Sequence, residues 1–201
     1  MTSKNTLIIG TRGSALALAQ ADMVRAALSA LHPGLDIRRE IIRTTGDRRT
    51  DVPLADVARV SGIVDKGIFI KELETALLEG RIDVAVHSLK DVPSELAPEF
   101  RLPAVLPRAA AEDVLITKEP DWNGRGTLAT GSVRRRLMAR TYWGRQLRFE
   151  NLRGNVPTRL EKLVEHPEWD AVILAKAGLE RLGLYAPETV VQGRKLYMRP
   201  L

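Results

Sequence analysis

The chain of 201 residues contains no cysteine. That absence excludes a disulfide framework, a thiol nucleophile and a thiolate metal site within these residues. Long apolar runs are missing too, and none approaches the roughly 20 residues that cross a bilayer as a helix. The N-terminal stretch offers only Leu7 to Ile9 as a continuous apolar core, too short for a secretory signal, so the expected address is cytoplasmic. Aromatic residues are few, with three Trp, three Tyr and three Phe, and no recognised nucleic-acid module accompanies them. The three histidines, His32, His87 and His166, are scattered and no H-E-x-x-H occurs, so no metal site is expected. Ser88 beside His87 lacks a G-x-S-x-G elbow, which argues against hydrolase chemistry.

What is present is an ordinary globular composition, 44% hydrophobic and 28% charged, with a net charge of +6. The charge is uneven. Residues 1–100 carry 13 basic and 14 acidic side chains, and residues 101–201 carry 18 and 11. Arginine supplies 23 of the 31 cations, which favours planar, bidentate recognition of carboxylate or phosphate. A polyanionic partner follows, its identity open.

The organising stretch is Ile82 to Pro93, IDVAVHSLKDVP. Its alternating β-branched start reads as a buried strand, and it ends in Ser88, Lys90 and Asp91 before Pro93. Polar residues just past the carboxyl end of a strand stand where open α/β sheets bind ligands, although a helix cap or turn would explain them equally. The same strand–turn–helix design recurs. Leu7 to Ile9 leads through Gly10-Thr11-Arg12-Gly13-Ser14 into a helix with Leu16, Ala19, Gln20, Met23, Ala27 and Leu31 on one face. Ser14 is its expected N-cap and Pro33-Gly34 its stop. With only Gly10 and Gly13, the turn is neither a Rossmann fingerprint nor a P-loop.

Ile37 to Thr45 reads as a second strand, residues 47–66 as a mobile loop, and Gly67 to Arg81 as a helix. Further strands are expected at Leu102 to Leu106, Asp113 to Thr117, ending at Leu128 to Ser132, at Leu147 to Leu152 and at Ala171 to Leu174. Helices are expected from Val133, from the Pro157 turn and from Lys176. Alternation of strands and helices predicts an α/β fold with parallel pairing dominant, in two lobes meeting at a cleft: 1–106 and 107–201.

The strand ends collect Arg12, Ser14, Lys71, Lys90, Arg134, Arg135, Arg153 and Arg159, with Asp91 as the one well-placed carboxylate. Guanidiniums aimed at one space repel one another, so folding alone does not select them without an anion to hold. Arg136, Arg140, Arg145 and Arg148 are read instead as solvated helix faces, and His87 as a structural side chain. Asp91 among cations stays ionised.

Six stretches carry a family resemblance in order: T-R-G-S-A-L-A-L-A-Q-A (11–21), K-G-I-F-I-K-E-L-E-T-A-L-L (66–78), D-V-A-V-H-S-L-K-D-V-P (83–93), Gly131 to Arg135, L-R-G-N-V-P-T-R-L (152–160) and A-K-A-G-L-E-R-L-G-L (175–184). Together they resemble the hydroxymethylbilane synthase, or porphobilinogen deaminase, family. The resemblance implies a tetrapyrrole-pathway transferase that condenses four porphobilinogen molecules head to tail with release of ammonia, on a covalently attached dipyrromethane primer. It implies Asp91 and Lys90 as the catalytic pair, Asp91 stabilising the cation left when the aminomethyl nitrogen departs. It also implies Arg12, Ser14, Lys71, Ser88, Ser132, Arg134, Arg135, Arg153 and Arg159 as holders of cofactor and substrate carboxylates. Residues 47–66 fall in the family's active-site loop region.

The implied fold is two lobes like those of type-2 periplasmic solute-binding proteins, followed by a small α+β domain bearing the cofactor cysteine. That third domain, the P-A-x-G-Q-G segment and the strand completing the first lobe are not in these residues, and without cysteine the thioether to dipyrromethane cannot form here. A fragment that binds pyrrole carboxylates without turnover, a chain completed by a second polypeptide, and a shortened relative all fit; otherwise a monomer is expected. Two rivals come from other classes. A nucleic-acid binder explains the arginines and predicts steep salt dependence, and a non-catalytic solute-binding protein explains two lobes. Neither predicts V-H-S-L-K-D-V-P and L-R-G-N together, so no nucleic acid and no membrane is expected as partner.

Overall fold

A computed structural model describes residues 5–44 and 70–201. The expected loop at 47–66 lies outside the described residues. The chain divides into two compact units, Met1–Pro107 and Arg108–Leu201.

In the first unit, β1 (Thr6–Thr11), helix α1 (Ala15–Leu31), β2 (Asp36–Ile41), helix α2 (Lys71–Leu78) and β3 (Val84–Ala85) follow in order. The strands form a parallel sheet ordered β2-β1-β3, as the strand–helix alternation predicts. The Ser14 hydroxyl accepts from the Ala17 N–H and caps α1, which ends at His32 just before Pro33. Ile42, Leu73, Ala76 and Ile82 form a buried cluster under the sheet, with Ile8, Leu77 and Ala85 packed on it.

Two expectations for this unit are corrected. The strand read from Ile82 shrinks to two paired residues, with Val84 and Val86 only half-buried. The chain leaves the sheet early because Leu89–Asp91 winds into a 3-10 turn. Leu102 to Leu106 forms no strand: Pro103 and Pro107 remove backbone donors, and Leu102 and Val105 are exposed.

The second unit runs β4 (Asp113–Thr117), β5 (Thr127–Ala129), helix α3 (Val133–Trp143), β6 (Arg148–Glu150), helix α4 (Val156–Glu165), β7 (Ala171–Ala175), helix α5 (Lys176–Arg181), β8 (Glu188–Val191) and β9 (Arg194–Pro200). Its six strands are ordered β6-β5-β7-β4-β9-β8. β5 pairs in parallel with β6 and β7, but β4 runs antiparallel to both β7 and β9, and β8 to β9. Parallel pairing therefore does not dominate this unit. One of these antiparallel pairs, β8 with β9, comes from a hairpin the sequence reading leaves unassigned: Gln192 (φ 48°) and Gly193 (φ 77°) make a two-residue turn with both φ positive, the geometry that joins antiparallel strands tightly.

Side chains of β4 alternate between two cores, as a strand's period of two requires. Val114 and Ile116 join Leu160, Leu163 and Leu179 from α4 and α5 on one face. Leu115 joins Leu128, Ala139, Leu147 and Ile173 on the other, beneath α3. The helix N-termini at Ser132 and Asn155 and the ends of β5 and β7 are fixed by this packing.

Candidate functional site

Each unit presents a polar cluster at its strand ends. In the first, Thr11 is fully buried and its hydroxyl donates to the carbonyl of Ala17 at 3.2 Å, drawing the end of β1 onto the first turn of α1. Arg12 and Ser14 follow directly. The Val86 N–H donates to the Gly10 carbonyl at 2.9 Å, which brings the end of β3 alongside. There the chain turns: the Asp91 N–H donates to the Ser88 carbonyl at 2.9 Å, and the Ser88 hydroxyl donates to Oε1 of Gln20 at 2.8 Å. Gln20 thus ties the turn bearing Asp91 to α1. The sequence reading places Gln20 on the helix face without a role; its signal is that it is the one polar residue among Leu16, Ala19, Met23 and Ala27.

His87 sits in the same corner. Burial pushes its pKa below the usual imidazole range, the Arg12 charge pushes the same way, and the Asp91 charge opposes both. The three side chains feel one another electrostatically, and His87 is neutral at pH 7. The Asp91 carboxylate is half-buried and hydrogen-bonds to no described residue. Lys90 and Lys71 are exposed, and neither ammonium bonds to a described residue. Lys71 is the first residue of α2.

In the second unit, Ser132 caps α3, its hydroxyl accepting from the Arg135 N–H at 3.4 Å while its own N–H donates to Oγ1 of Thr130 at 3.2 Å. A Cβ at Gly131 would stand 2.9 Å from the Leu152 carbonyl oxygen, so only glycine lets the two strand-end turns approach this closely. The cap orients Arg134 and Arg135. Arg135 donates from Nη2 to Oδ1 of Asp113 at 2.6 Å and from Nε to Oδ2 at 3.2 Å, and from Nη1 to the Ile173 carbonyl at 3.0 Å. Arg134 adds a bond from Nη2 to Oδ2 of Asp113 at 2.9 Å. Burial alone would raise the Asp113 pKa, but the two guanidiniums outweigh it and hold the carboxyl below its usual range.

Asp113 corrects the sequence reading, which gives these arginines no carboxylate of their own. Its signal was an acid opening the otherwise apolar strand D-V-L-I-T. Arg153 and Arg159 lie close by. Burial depresses the Arg159 pKa, and the charges of Arg135 and Arg153 depress it further. Arg159 donates from Nε to the Gly154 carbonyl at 2.7 Å. Arg153 has a buried Nη1 with no hydrogen-bond partner among the described residues. Arg136 is not a solvated helix charge: Nε and Nη2 both donate to the Thr130 carbonyl, and with Arg140 it lies over the Phe149 ring. Arg145 is exposed, and Arg148 is exposed on β6 rather than on a helix.

Among the described residues no group of three His, Asp or Glu side chains could hold a metal ion, and no helix is long and apolar enough to cross a membrane.

Residues 7–198 match the family model described as porphobilinogen deaminase, dipyromethane cofactor binding domain. The porphobilinogen deaminase of Syntrophobacter fumaroxidans is 45% identical over 179 residues, covering 87% of this chain and 55% of that protein. That of Nitratidesulfovibrio vulgaris is 43% identical over 197 residues, covering 96% and 59%. The probable porphobilinogen deaminase of Methanococcoides burtonii is 42% identical over 184 residues, covering 88% and 55%. Among solved structures, the methionine binding protein MetQ superposes with a TM-score of 0.41 at 10% identity, covering 98% of this chain and 83% of that one. The chain spans a little over half the length of the curated relatives it matches. It belongs to the porphobilinogen deaminase family.

Proposed function

We propose that the chain serves hydroxymethylbilane synthase activity: condensation of porphobilinogen units head to tail with loss of ammonia, at a cytoplasmic address. The observation that carries this reading is the arginine cluster of the second unit. Arg134 and Arg135 share one internal carboxylate, Asp113, Arg159 feels the charges of Arg135 and Arg153, and Arg153 keeps a buried N–H group with no partner among the described residues. Cations accumulated without compensation oppose folding, and a bound polyanion offsets that cost. A chain of pyrroles, each with an acetate and a propionate, is such a polyanion.

Dipyrromethane carries the same acetate and propionate groups. Arg153, with its unpartnered Nη1, and Arg159 are the residues that suit those carboxylates, while Arg134 and Arg135 contribute charge from positions already fixed by Asp113. When bound, that group supplies the nucleophilic pyrrole carbon from which the product chain grows. Its thioether anchor has to come from a cysteine that these residues do not include. In the first unit, Asp91 supplies a carboxylate that no described side chain occupies, suited to stabilising positive charge as the aminomethyl nitrogen leaves. Ser88 and Lys90 stand in its turn, Arg12 and Ser14 follow β1, the strand paired with β3, and the four bind substrate carboxylates in this reading. Lys71 and Ser132 join the binding set by family position.

The test is twofold. The 201-residue chain is titrated with porphobilinogen by calorimetry and assayed for ammonia release. Binding that falls about tenfold in Arg153→Ala, the scale of one charge-assisted hydrogen bond, supports the carboxylate role. Turnover that vanishes in Asp91→Ala with the circular dichroism unchanged supports the catalytic one. Porphobilinogen binding unaffected by Arg153→Ala would sink the assignment of the cluster. Binding without turnover by the chain alone assigns it the substrate-holding part of the reaction.

A further inference from the structure

The arginines that the pyrrole reading leaves over gather at one corner of the second unit. Arg148 opens β6, and its backbone N–H donates to the Gly126 carbonyl at 2.9 Å, which sets it beside Arg125. The loop bearing Arg125 meets the end of α3, where a Cβ on Gly124 would stand 2.3 Å from the Trp143 ring, and Arg145 follows two residues later. Arg140, one turn earlier on α3, lies over the Phe149 ring at 5.3 Å. All four side chains are exposed. Among the described residues none of the four guanidiniums forms a salt bridge or donates a hydrogen bond. The acids of the same segments, residues 121–126 and 140–150, are Asp121 and Glu150, so positive charge is in excess.

The same corner holds an open sheet edge. β6 pairs with β5 alone, at one end of the order β6-β5-β7-β4-β9-β8. The Arg148 N–H donates to Gly126, and the Glu150 carbonyl accepts from the Thr130 N–H at 2.8 Å, so both residues direct their backbone groups at β5. Phe149 between them turns its N–H and C=O outward, as an edge strand does. Side chains alternate along the strand, which puts Arg140 on the Phe149 face of this edge and Arg148 on the other. β5, β7 and β4 lie between β6 and β9, so the corner is built without the residues that follow β8. It also shares no residue with the pyrrole site.

We propose that this corner docks an extended acidic segment of another protein, added alongside β6 as a further strand. Its backbone pairs with Phe149, and its carboxylates reach Arg140 on one face and Arg148 on the other, with Arg125 and Arg145 at the end of the strand. Strand addition supplies affinity through main-chain bonds, and guanidinium forks suit carboxylates. A second copy of this chain, with a net charge of +6, is repelled from such a corner. A nucleic acid matches the charge but has no strand to pair with Phe149. The proposal stands independently of the porphobilinogen reading.

The probe is the peptide acetyl-EETEETEE-amide, titrated into the ¹⁵N-labelled 201-residue chain. The expected result is saturable movement of the Phe149 amide resonance with slower hydrogen exchange at that amide. Acetyl-EEPEEPEE-amide has the same charge but lacks strand donors at its prolines. It should bind about tenfold more weakly, the scale of one hydrogen bond. Arg140→Gln combined with Arg148→Gln, both at exposed positions, should weaken the first peptide about tenfold and flatten its salt dependence. Arg153→Ala should leave its affinity unchanged. Equal affinity for the two peptides, unaltered exchange at Phe149, or an affinity untouched by the double substitution would each overturn the proposal. So would an eight-nucleotide oligothymidylate binding as tightly as the first peptide, which marks a general polyanion surface. Loss of binding in Arg153→Ala would mean capture by the pyrrole site instead.

Discussion

Arg135 grips Asp113 through two roughly parallel hydrogen bonds, at 2.6 and 3.2 Å, with the carboxylate 8% and the guanidinium 13% exposed. This fork ties the first residue of β4 to the first turn of α3. It fixes the direction in which the N-terminal arginines of that helix leave the protein.

Asp113→Ala should destabilise the second unit by about 3 kcal/mol, because it strands a buried guanidinium. Urea unfolding checks this, and Asp113→Ala combined with Arg135→Met should recover much of the loss. The pair also predicts a pH dependence. The folded Asp113 carboxyl titrates below its unfolded value, so the stabilisation is complete above about pH 4 and is lost as pH falls through the folded value. Unfolding free energies between pH 7 and 3 should converge for the parent and Asp113→Asn chains at the acid end.

His87 should titrate below about pH 6.5, the ordinary imidazole value, when followed by the NMR shifts of its ring protons. Burial is the main cause, and the neighbouring charges allow a sharper check. Asp91→Asn removes the charge that favours the imidazolium and should lower the His87 value further. Arg12→Met removes a charge that opposes it and should raise it. A His87 value indifferent to both substitutions would mean that the corner is not assembled as described. Because the folded value is depressed, His87 favours the folded state above its unfolded pKa, and that contribution is lost as pH falls through the folded value.

Ser88 and Gln20 should show a coupling of about 1 kcal/mol in a double-mutant cycle of Ser88→Ala and Gln20→Ala, the usual net worth of one part-buried hydrogen bond. Each single substitution should cost about the same amount in chemical unfolding. A coupling near zero would show that the turn carrying Asp91 is held by its backbone bonds alone.

Arg153→Leu should leave the ligand-free chain as stable as before or about 1 kcal/mol more stable, since it removes a buried N–H group without a partner from a half-buried side chain and keeps the aliphatic volume. The same change should weaken porphobilinogen binding. Thermal unfolding and calorimetry on one preparation separate the two effects. A large loss of stability would mean that Arg153 is a structural residue.

Local pattern carried much of this protein on the page of its sequence. Ser14 before an apolar helical face specified α1, and Pro157 with Asn155 before it specified the start of α4, because caps and helix starts depend on residues within one turn. The order of strand, glycine-bearing turn and helix likewise placed Arg12, Arg134 and Arg135 at strand ends before any tertiary contact was known. The short motifs around His87, Arg135 and Arg153 identified the family for the same reason: each is contiguous.

What only the tertiary structure decided is which of these pieces meet. Asp113 and Arg135 are 22 residues apart and Ser88 and Gln20 are 68 apart, and no periodicity encodes either pairing. Strand alternation reports which side chains face a core, but not whether the neighbouring strand runs parallel, so the antiparallel pairing of β4 with β7 and β9 was hidden. A lone charge in a sequence does not say whether it reaches solvent, a ligand or another charge. In Arg135 packing brought the guanidinium onto a buried carboxylate, and in Arg153 it left a buried N–H with no partner.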